Sequence, residues 1–174
     1  MRRHQLSLLA ALLLTSCGIN PIRPIEVSRL AETPSFVVFG TRADSPSPQF
    51  SVVLVEFDPV AGHDIGSCFS YARMIAHGAE DGSLTYHAFS LRPGIYRVYF
   101  QDEGFRVLAG ERLYLGDFVQ RQDSRLGRLG QRVPDVDQTT EAASRAQARL
   151  GVRLSLAERY PVIGGQRPIP ICTP

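Results

Sequence analysis

The sequence predicts a mainly β domain that ends in one α-helix. Between residues 36 and 119, short runs rich in β-branched and aromatic residues alternate with turns rich in Gly, Pro, Asp and Ser. After Pro134 the spacing of apolar residues changes to that of an amphipathic helix. Ahead of this domain, a basic and then apolar N-terminus predicts an export signal.

Residues 1–16 have the layout of a secretory signal peptide. Two arginines precede an apolar run over 6–14, and the small residues Thr15 and Ser16 come directly before Cys17. The run is too short for a membrane-spanning helix, which needs about 20 apolar residues. The sequence could also be an ordinary signal peptide, in which case Cys17 carries an unmodified thiol.

Residues 14–17, Leu-Thr-Ser-Cys, resemble the lipobox of bacterial lipoproteins, in which a lipid is joined to the cysteine thiol before cleavage. The resemblance implies a mature chain that begins at Cys17 and carries palmitate-type acyl chains. Each buried methylene contributes about 0.8 kcal/mol, so several chains anchor firmly. Gly18 stands where the enteric sorting rule places an inner-membrane aspartate, which implies the outer membrane and a domain that faces the periplasm.

The mature chain has the size of one domain and almost no net charge. All 19 basic residues are arginine, and two of them lie in the signal peptide, so 17 arginines face 17 acidic residues. This balance argues against non-specific nucleic-acid binding. The favoured interpretation of the basic cluster at Arg121, Arg125, Arg128 and Arg132 is a solvated, salt-paired face, and the alternative is a site for an anionic headgroup or a polyanion.

Two cysteines remain after lipidation, Cys68 and Cys172. An oxidising periplasm permits a disulfide between them, which would hold the Pro-rich tail over residues 162–174. Two free thiols are the alternative, because the sequence does not give the distance between the two Cα atoms. No His and Asp partners identify Cys68 as a nucleophile.

The first predicted elements are a tether and two strands. After Cys17 the chain to residue 35 has prolines and no sustained apolar period, which predicts a semi-extended link to the membrane. Residues 36–39 predict a strand that ends at Gly40, and 50–57 predict a strand buried on both faces.

Further strands follow along the chain. Residues 68–77 fit a strand better than a helix, because a polar turn and another strand over 84–91 come after them. Pro93 and Gly94 fit the centre of a type II turn. The next strand places Tyr96, Val98 and Phe100 on one face. Residues 105–119 predict a hairpin, and a last weak strand is predicted between 125 and 133.

The helix is predicted over about 137–150. Asp137 is the expected N-cap, and Gly151 is expected to end the helix. Its apolar stripe is narrow enough to lie close against a sheet: Ala142, Ala143, Ala146 and Leu150. Residues 154–160 predict one more helical turn before Pro161.

One motif implies the architecture. Residues Leu91, Pro93, Gly94, Tyr96 and Val98 resemble the L-x-P-G-x-Y-x-V signature of prealbumin-like and carboxypeptidase-regulatory-like domains. The resemblance implies an antiparallel β-sandwich of prealbumin or immunoglobulin type over 36–161, with the helix packed on it. It also implies a structural corner, in which the tyrosine points inward and its hydroxyl binds backbone. The opposite register would expose Tyr96 and bury Arg97 without an evident partner.

A second motif, G-x-x-x-Y-x-G-D over residues 110–117, resembles a hairpin of small Gram-negative outer-membrane lipoproteins of uncharacterised function. Those proteins also carry an L-x-P-G-x-Y strand upstream and a helix that ends near an aromatic-Pro pair downstream, here Tyr160-Pro161. The resemblance implies compartment and fold, and no activity.

No catalytic residue, metal site or cofactor is predicted. The candidate ligands do not converge at zinc-site spacings, and exposed loop or edge positions are the favoured interpretation: His63, Asp64, His77, Glu80, Asp81 and His87. The serines at Ser67 and Ser83 do not stand in a G-x-S-x-G elbow.

The sequence therefore predicts a lipid-anchored envelope protein whose domain is a non-enzymatic interaction or structural module, with the membrane as its one identified partner. A small-ligand or glycan-binding lipoprotein is the alternative, and a periplasmic enzyme is the least favoured interpretation. A deep pocket with convergent polar groups would favour ligand binding, and an exposed apolar patch would favour an interaction module.

Overall fold

The computed structural model describes residues 22–43, 50–65, 71–76, 83–98, 103–120 and 135–161. Within these ranges the chain forms two β-sheets and one α-helix, as the sequence predicts. The elements are β1 (Arg23–Ile25), a 3-10 helix (Val27–Glu32), β2 (Phe36–Ala43), β3 (Phe50–Asp58), β4 (His63–Asp64), β5 (Tyr71–Ala76), β6 (Thr85–Ser90), β7 (Gly94–Val98), β8 (Glu103–Val107), β9 (Arg112–Gln120), β10 (Asp135–Asp137), α1 (Thr140–Leu150), β11 (Ser155–Leu156) and β12 (Arg159–Pro161).

The first sheet has the strand order β1-β6-β2-β9-β10, and β11 pairs with β9 beside β10. Most pairs are antiparallel, but β2 and β11 both run parallel to β9. The second sheet has the order β12-β8-β7-β3-β4, and β5 pairs with β3. All of its pairs are antiparallel. The predicted sandwich is therefore correct, although its first sheet is mixed.

The core lies between the two sheets. Its members alternate along each strand, as they must when one face of a sheet is buried. Both sheets contribute large side chains, including Phe39, Phe89, Leu54, Tyr96 and Phe105. Full burial of one such side chain contributes about 1.5–3 kcal/mol, so this layer is the main stabilising element of the fold.

A second apolar cluster covers the opposite face of the first sheet. The helix α1 packs there through its predicted small-residue stripe, against Phe36, Val38 and Tyr114 of the sheet. Alanines on the contact face bring the helix backbone close to the strands. Gly151 ends the helix in the left-handed conformation at φ 67°, as predicted.

The predicted N-cap is wrong by two residues. Thr139 is the N-cap, and its hydroxyl accepts a hydrogen bond from Ala142 N at 3.2 Å. The carboxylate of Asp137 instead accepts from the Thr139 hydroxyl at 2.8 Å. Asp137 is paired with β9 as a strand residue, so its backbone cannot begin the helix.

The predicted tether belongs in part to the domain. Residues 23–25 form β1 against β6, and the 3-10 helix follows directly. Ile22 and Leu30 are 2% and 1% exposed, so each is part of a core cluster. The tether prediction is wrong from residue 22 onward, because a Pro-containing edge strand lacks the apolar alternation that marks a strand.

The predicted hairpin over 105–119 is also wrong. Strand β8 lies in the second sheet and β9 in the first, so residues 108–111 connect one sheet to the other. The sequence predicts the positions of both strands correctly. A local strand pattern does not show to which sheet the strand belongs.

Two smaller expectations also change. Strand β2 continues through Gly40 to Ala43, and residues 155–161 form two short strands in place of a helical turn. The predicted strands at 50–57, 68–77 and 84–91 are confirmed within a few residues as β3, β5 and β6. The weak strand predicted between 125 and 133 lies outside the described residues.

Candidate functional site

The predicted lipidation and disulfide residues lie outside the described ranges. Cys17 precedes the first described residue, Ile22, by five positions. Cys68 lies between β4 and β5, and Cys172 lies beyond β12. These three assignments remain predictions.

The predicted tyrosine corner is confirmed. Tyr96 is fully buried, and its hydroxyl donates a hydrogen bond to the backbone oxygen of Arg92 at 3.0 Å. Its ring stacks on Phe105 with the ring centroids 6.0 Å apart. Burial raises the pKa of Tyr96 to about 12. Leu91 belongs to the same core cluster, at the end of the sandwich where the chain passes from β6 to β7.

The turn inside this motif is not type II. The glycines with positive φ in the described ranges do not include Gly94, which begins strand β7 in extended conformation. Residues 91–93 lead from β6 in the first sheet to β7 in the second. These residues bend at Pro93 and connect the two sheets, so they do not form a hairpin turn within one sheet.

Arg97 is buried as well, on the other face of the second sheet. Its guanidinium donates to the Asp64 carboxylate, and the two side chains are 2% and 5% exposed. The guanidinium also lies 6.0 Å from the centre of the Phe57 ring. The expectation that a buried Arg97 would lack a partner is wrong. The sequence analysis considered Asp64 only as a candidate metal ligand. It did not pair Asp64 with Arg97, because 33 positions separate the two residues along the chain.

A second buried polar cluster lies beneath α1, and the Y-x-G-D motif forms it. Strand β9 bulges at Gly116, where φ is 115° and the register against β2 shifts. The extra residue turns Asp117 to the same face as Tyr114, and the Tyr114 hydroxyl donates to the Asp117 carboxylate. A Cβ at Gly116 would come 2.8 Å from Val136, so glycine is required there.

The neighbouring elements complete this cluster. Arg145 of α1 donates to Asp117 at 3.3 Å and to Asp137 at 3.1 Å. Gly40 of β2 lies directly under the carboxylate, where any side chain would overlap Asp117. The cluster therefore joins β2, β9, β10 and α1 at one point.

Burial sets the electrostatics of the cluster. Burial raises the pKa of Asp117, and its hydrogen bonds from Tyr114 and Arg145 oppose that rise. Burial, together with the bond to Asp117, also raises the pKa of Tyr114. Both groups are covered by the helix and are nearly inaccessible to solvent, so their geometry serves to hold α1 on the sheet.

The histidines in the described ranges each have a structural partner. His87 Nε2 lies 2.8 Å from the Thr41 hydroxyl between the sheets, and burial lowers the pKa of this histidine. His63 Nδ1 lies 3.0 Å from the backbone oxygen of Asp64. His77, Glu80 and Asp81 lie outside the described residues. No three His, Cys, Asp or Glu side chains of the described ranges lie close enough to hold a metal ion.

One end of the sandwich contains the point where the chain enters the domain. The row Arg23, Ser90, Phe36 and Arg112 marks this end of the first sheet, because these residues are register partners on four adjacent strands. Gly94 and Val107 pair at the same end of the second sheet. We call this the N-terminal end. The connections over residues 59–62, 91–93 and 108–111 lie there.

A small cavity lies near β12, between the sheets. Its volume is about 20 Å³, and it is lined by Val98, Glu103, Gly104, Phe105, Leu115, Gln138, Ala157 and Arg159. Such a volume holds about one water molecule. It is too small for a sugar or another organic ligand.

Comparisons with family models, with curated proteins and with solved structures found no match to this chain. In the part of the chain that the structure describes, no helix is long and apolar enough to cross a bilayer.

Proposed function

We propose that this chain is an N-terminally lipidated protein of the bacterial cell envelope. Its β-sandwich is a non-enzymatic interaction or structural module held at the periplasmic face of the outer membrane. The observation that carries the proposal is the order of residues 1–18: two arginines, an apolar run, Leu-Thr-Ser-Cys and then glycine.

The start of the fold supports a short anchor. Ile22 is already packed in the core, and only four residues separate it from Cys17. A chain extends at most about 3.6 Å per residue, so Cys17 lies within about 18 Å of the domain. A lipid on Cys17 would therefore hold the N-terminal end of the sandwich close to the bilayer.

Two buried carboxylates of the domain have structural partners. Asp64 binds Arg97 and Asp117 binds Tyr114 and Arg145, so each of these carboxylates is used to join elements of the fold. The resemblance of residues 110–117 to small Gram-negative lipoproteins points to the same class of protein.

Replacement of the lipid acceptor tests the proposal. Cys17→Ser should move the protein from the membrane fraction to the soluble fraction, because the thiol is the site of acylation. Globomycin should block maturation of the unaltered chain. Cys68→Ser is the matched control and should stay in the membrane fraction. Retention of Cys17→Ser in carbonate-washed membranes would contradict the proposal.

We also propose that Cys68 and Cys172 form a disulfide. Cys68 lies three residues before β5 and Cys172 lies eleven residues after β12, and both strands belong to the second sheet. The four strand spacings between β12 and β5 amount to about 19 Å, and eleven extended residues reach about 36 Å. Non-reducing peptide mapping should find the linked pair. Full alkylation of both thiols without reductant would contradict it.

A further inference from the structure

The N-terminal end of the sandwich presents two apolar side chains to solvent. Val60 is 96% exposed in the connection between β3 and β4, and Leu108 is 47% exposed in the connection between β8 and β9. They are two of the five large apolar residues that are exposed in the described ranges. Single exposed apolar residues are common on protein surfaces, but these two lie at the end where the chain enters the domain, so a lipid surface held at that end would bury both.

Both connections are held in shape by carboxylates. Asp58 accepts hydrogen bonds from Val60 N at 2.8 Å and from Ala61 N at 3.0 Å. Glu111 accepts from Leu108 N at 2.6 Å. Gly110 N also donates to Ser35 at 2.6 Å, which ties this loop to the start of β2. The two tips are therefore preorganised, and little conformational entropy is lost when they are covered.

Two exposed arginines lie at the same end as the tips. Arg23 and Arg92 are exposed at this end, one on the first described strand and the other in the connection between β6 and β7. The carboxylates of Asp58 and Glu111 also carry negative charge there, which the dipoles of the backbone amides bonded to them offset in part. Arginine side chains can reach lipid phosphates while their apolar stems stay near the interface.

We propose that the N-terminal end of the sandwich docks on the lipid surface, with Val60 and Leu108 in the interface and Arg23 and Arg92 against anionic headgroups. The inference rests on the proposed lipid anchor, since an acylated Cys17 lies within about 18 Å of this end. The anchor supplies proximity, and the tips then give the domain one orientation on the membrane.

Tryptophan fluorescence tests this orientation, because the chain contains no tryptophan. Val60→Trp and Leu108→Trp are introduced separately into the full-length lipidated protein, which is reconstituted in vesicles of phosphatidylcholine and phosphatidylglycerol. Thr85→Trp is the matched control. Thr85 is exposed at the start of β6, about 17 Å along that strand from the N-terminal end.

We expect the emission of Trp at 60 and at 108 to shift to shorter wavelength and to be quenched by brominated acyl chains. The control at position 85 should keep its solution spectrum. Arg23→Gln with Arg92→Gln should reduce the shift in anionic vesicles and leave the smaller shift in pure phosphatidylcholine vesicles unchanged.

The outcomes separate the two proposals. A protein that does not float with the vesicles has no anchor, and the proposed function fails. A protein that floats while all three tryptophans keep their solution spectra retains the anchor and overturns the docking surface. Equal quenching at positions 60, 108 and 85 overturns the docking surface too, because it means that no one end faces the lipid.

Discussion

Among the residues that the structure describes, two buried carboxylates have arginine partners, and the two pairs differ in exposure. Asp64 and Arg97 lie on the outer face of the second sheet and are both buried, at 5% and 2%. Asp117 lies on the outer face of the first sheet and is 2% exposed, but its partner Arg145 on α1 is 53% exposed. The first pair excludes water from both charges, and the second leaves the cation in water.

The difference predicts how each site responds to loss of its partner. A buried guanidinium has no water to replace the lost carboxylate, and a buried carboxylate has none to replace the lost guanidinium. Asp117 has a second donor in Tyr114, and Arg145 also binds the half-exposed Asp137. The first pair should therefore behave as one unit, and the second as a network that tolerates loss of its exposed member.

The largest effect is expected at Arg97. Arg97→Met should lower the free energy of unfolding by about 3–5 kcal/mol, because Asp64 stays buried without its cation. Arg106→Met, at an exposed position on the adjacent strand β8, is the control and should stay within about 0.5 kcal/mol of wild type. Denaturant unfolding of the purified protein measures both. The double variant with Asp64→Leu should recover much of the loss, and a further large loss would contradict the pairing.

A smaller effect is expected at Tyr114. Tyr114→Phe keeps the ring but removes one hydrogen bond to the buried carboxylate of Asp117, which should cost about 1–3 kcal/mol. Tyr86→Phe, a half-buried tyrosine on β6 near the same cluster, should cost less. The same unfolding experiment compares them. Equal unfolding midpoints for Tyr114→Phe and wild type would contradict a stabilising role for the hydrogen bond from Tyr114 to Asp117.

Loss of the exposed cation should matter least for stability. Arg145→Ala should cost about 0–1 kcal/mol, because a half-exposed guanidinium is already well solvated. Arg149→Ala, one turn later on α1, controls for changes in helix propensity. The difference between the two variants should shrink as salt is added. If Arg145→Ala lowered the free energy of unfolding as much as Arg97→Met does, the predicted difference between the two ion pairs would be wrong.

The two carboxylates that share Arg145 have pKa values shifted in opposite directions. Burial raises the pKa of Asp117, whereas the Thr139 hydroxyl and Arg145 lower the pKa of half-exposed Asp137. The stabilising contribution of Asp117 is therefore greatest in acid and falls as pH rises from the unfolded pKa through the native one. That of Asp137 is present above the unfolded pKa and is lost as pH falls through the native one.

Carbon-detected NMR titration of the side-chain carboxyls measures both pKa values. Arg145→Ala should raise the pKa of Asp137 toward its ordinary value and raise that of Asp117 further. A fall in either pKa on this substitution would contradict the shared contact.

Local signals predicted the strands and the end of the helix well. The apolar run at residues 50–57 and the turn residues beside it depend on neighbours in sequence, and so does Gly151 at the helix end. The inward position of Tyr96 was also predictable from its motif. The edge strand β1 was missed, because its three residues, Arg-Pro-Ile, carry no strand pattern and pair only when β6 is already formed.

Sequence patterns alone predict an export signal and a lipid site at Cys17, and they gave the mainly β class, most strand positions and the stripe by which α1 packs. These depend on short-range patterns of polarity and backbone preference. The tertiary structure alone decided that β8 and β9 lie in different sheets, that Arg97 meets Asp64, and that a bulge at Gly116 turns Asp117 toward Tyr114. Those outcomes depend on which distant strands share a sheet. A buried charged group must have a partner, but the sequence pattern does not show which residue that partner is.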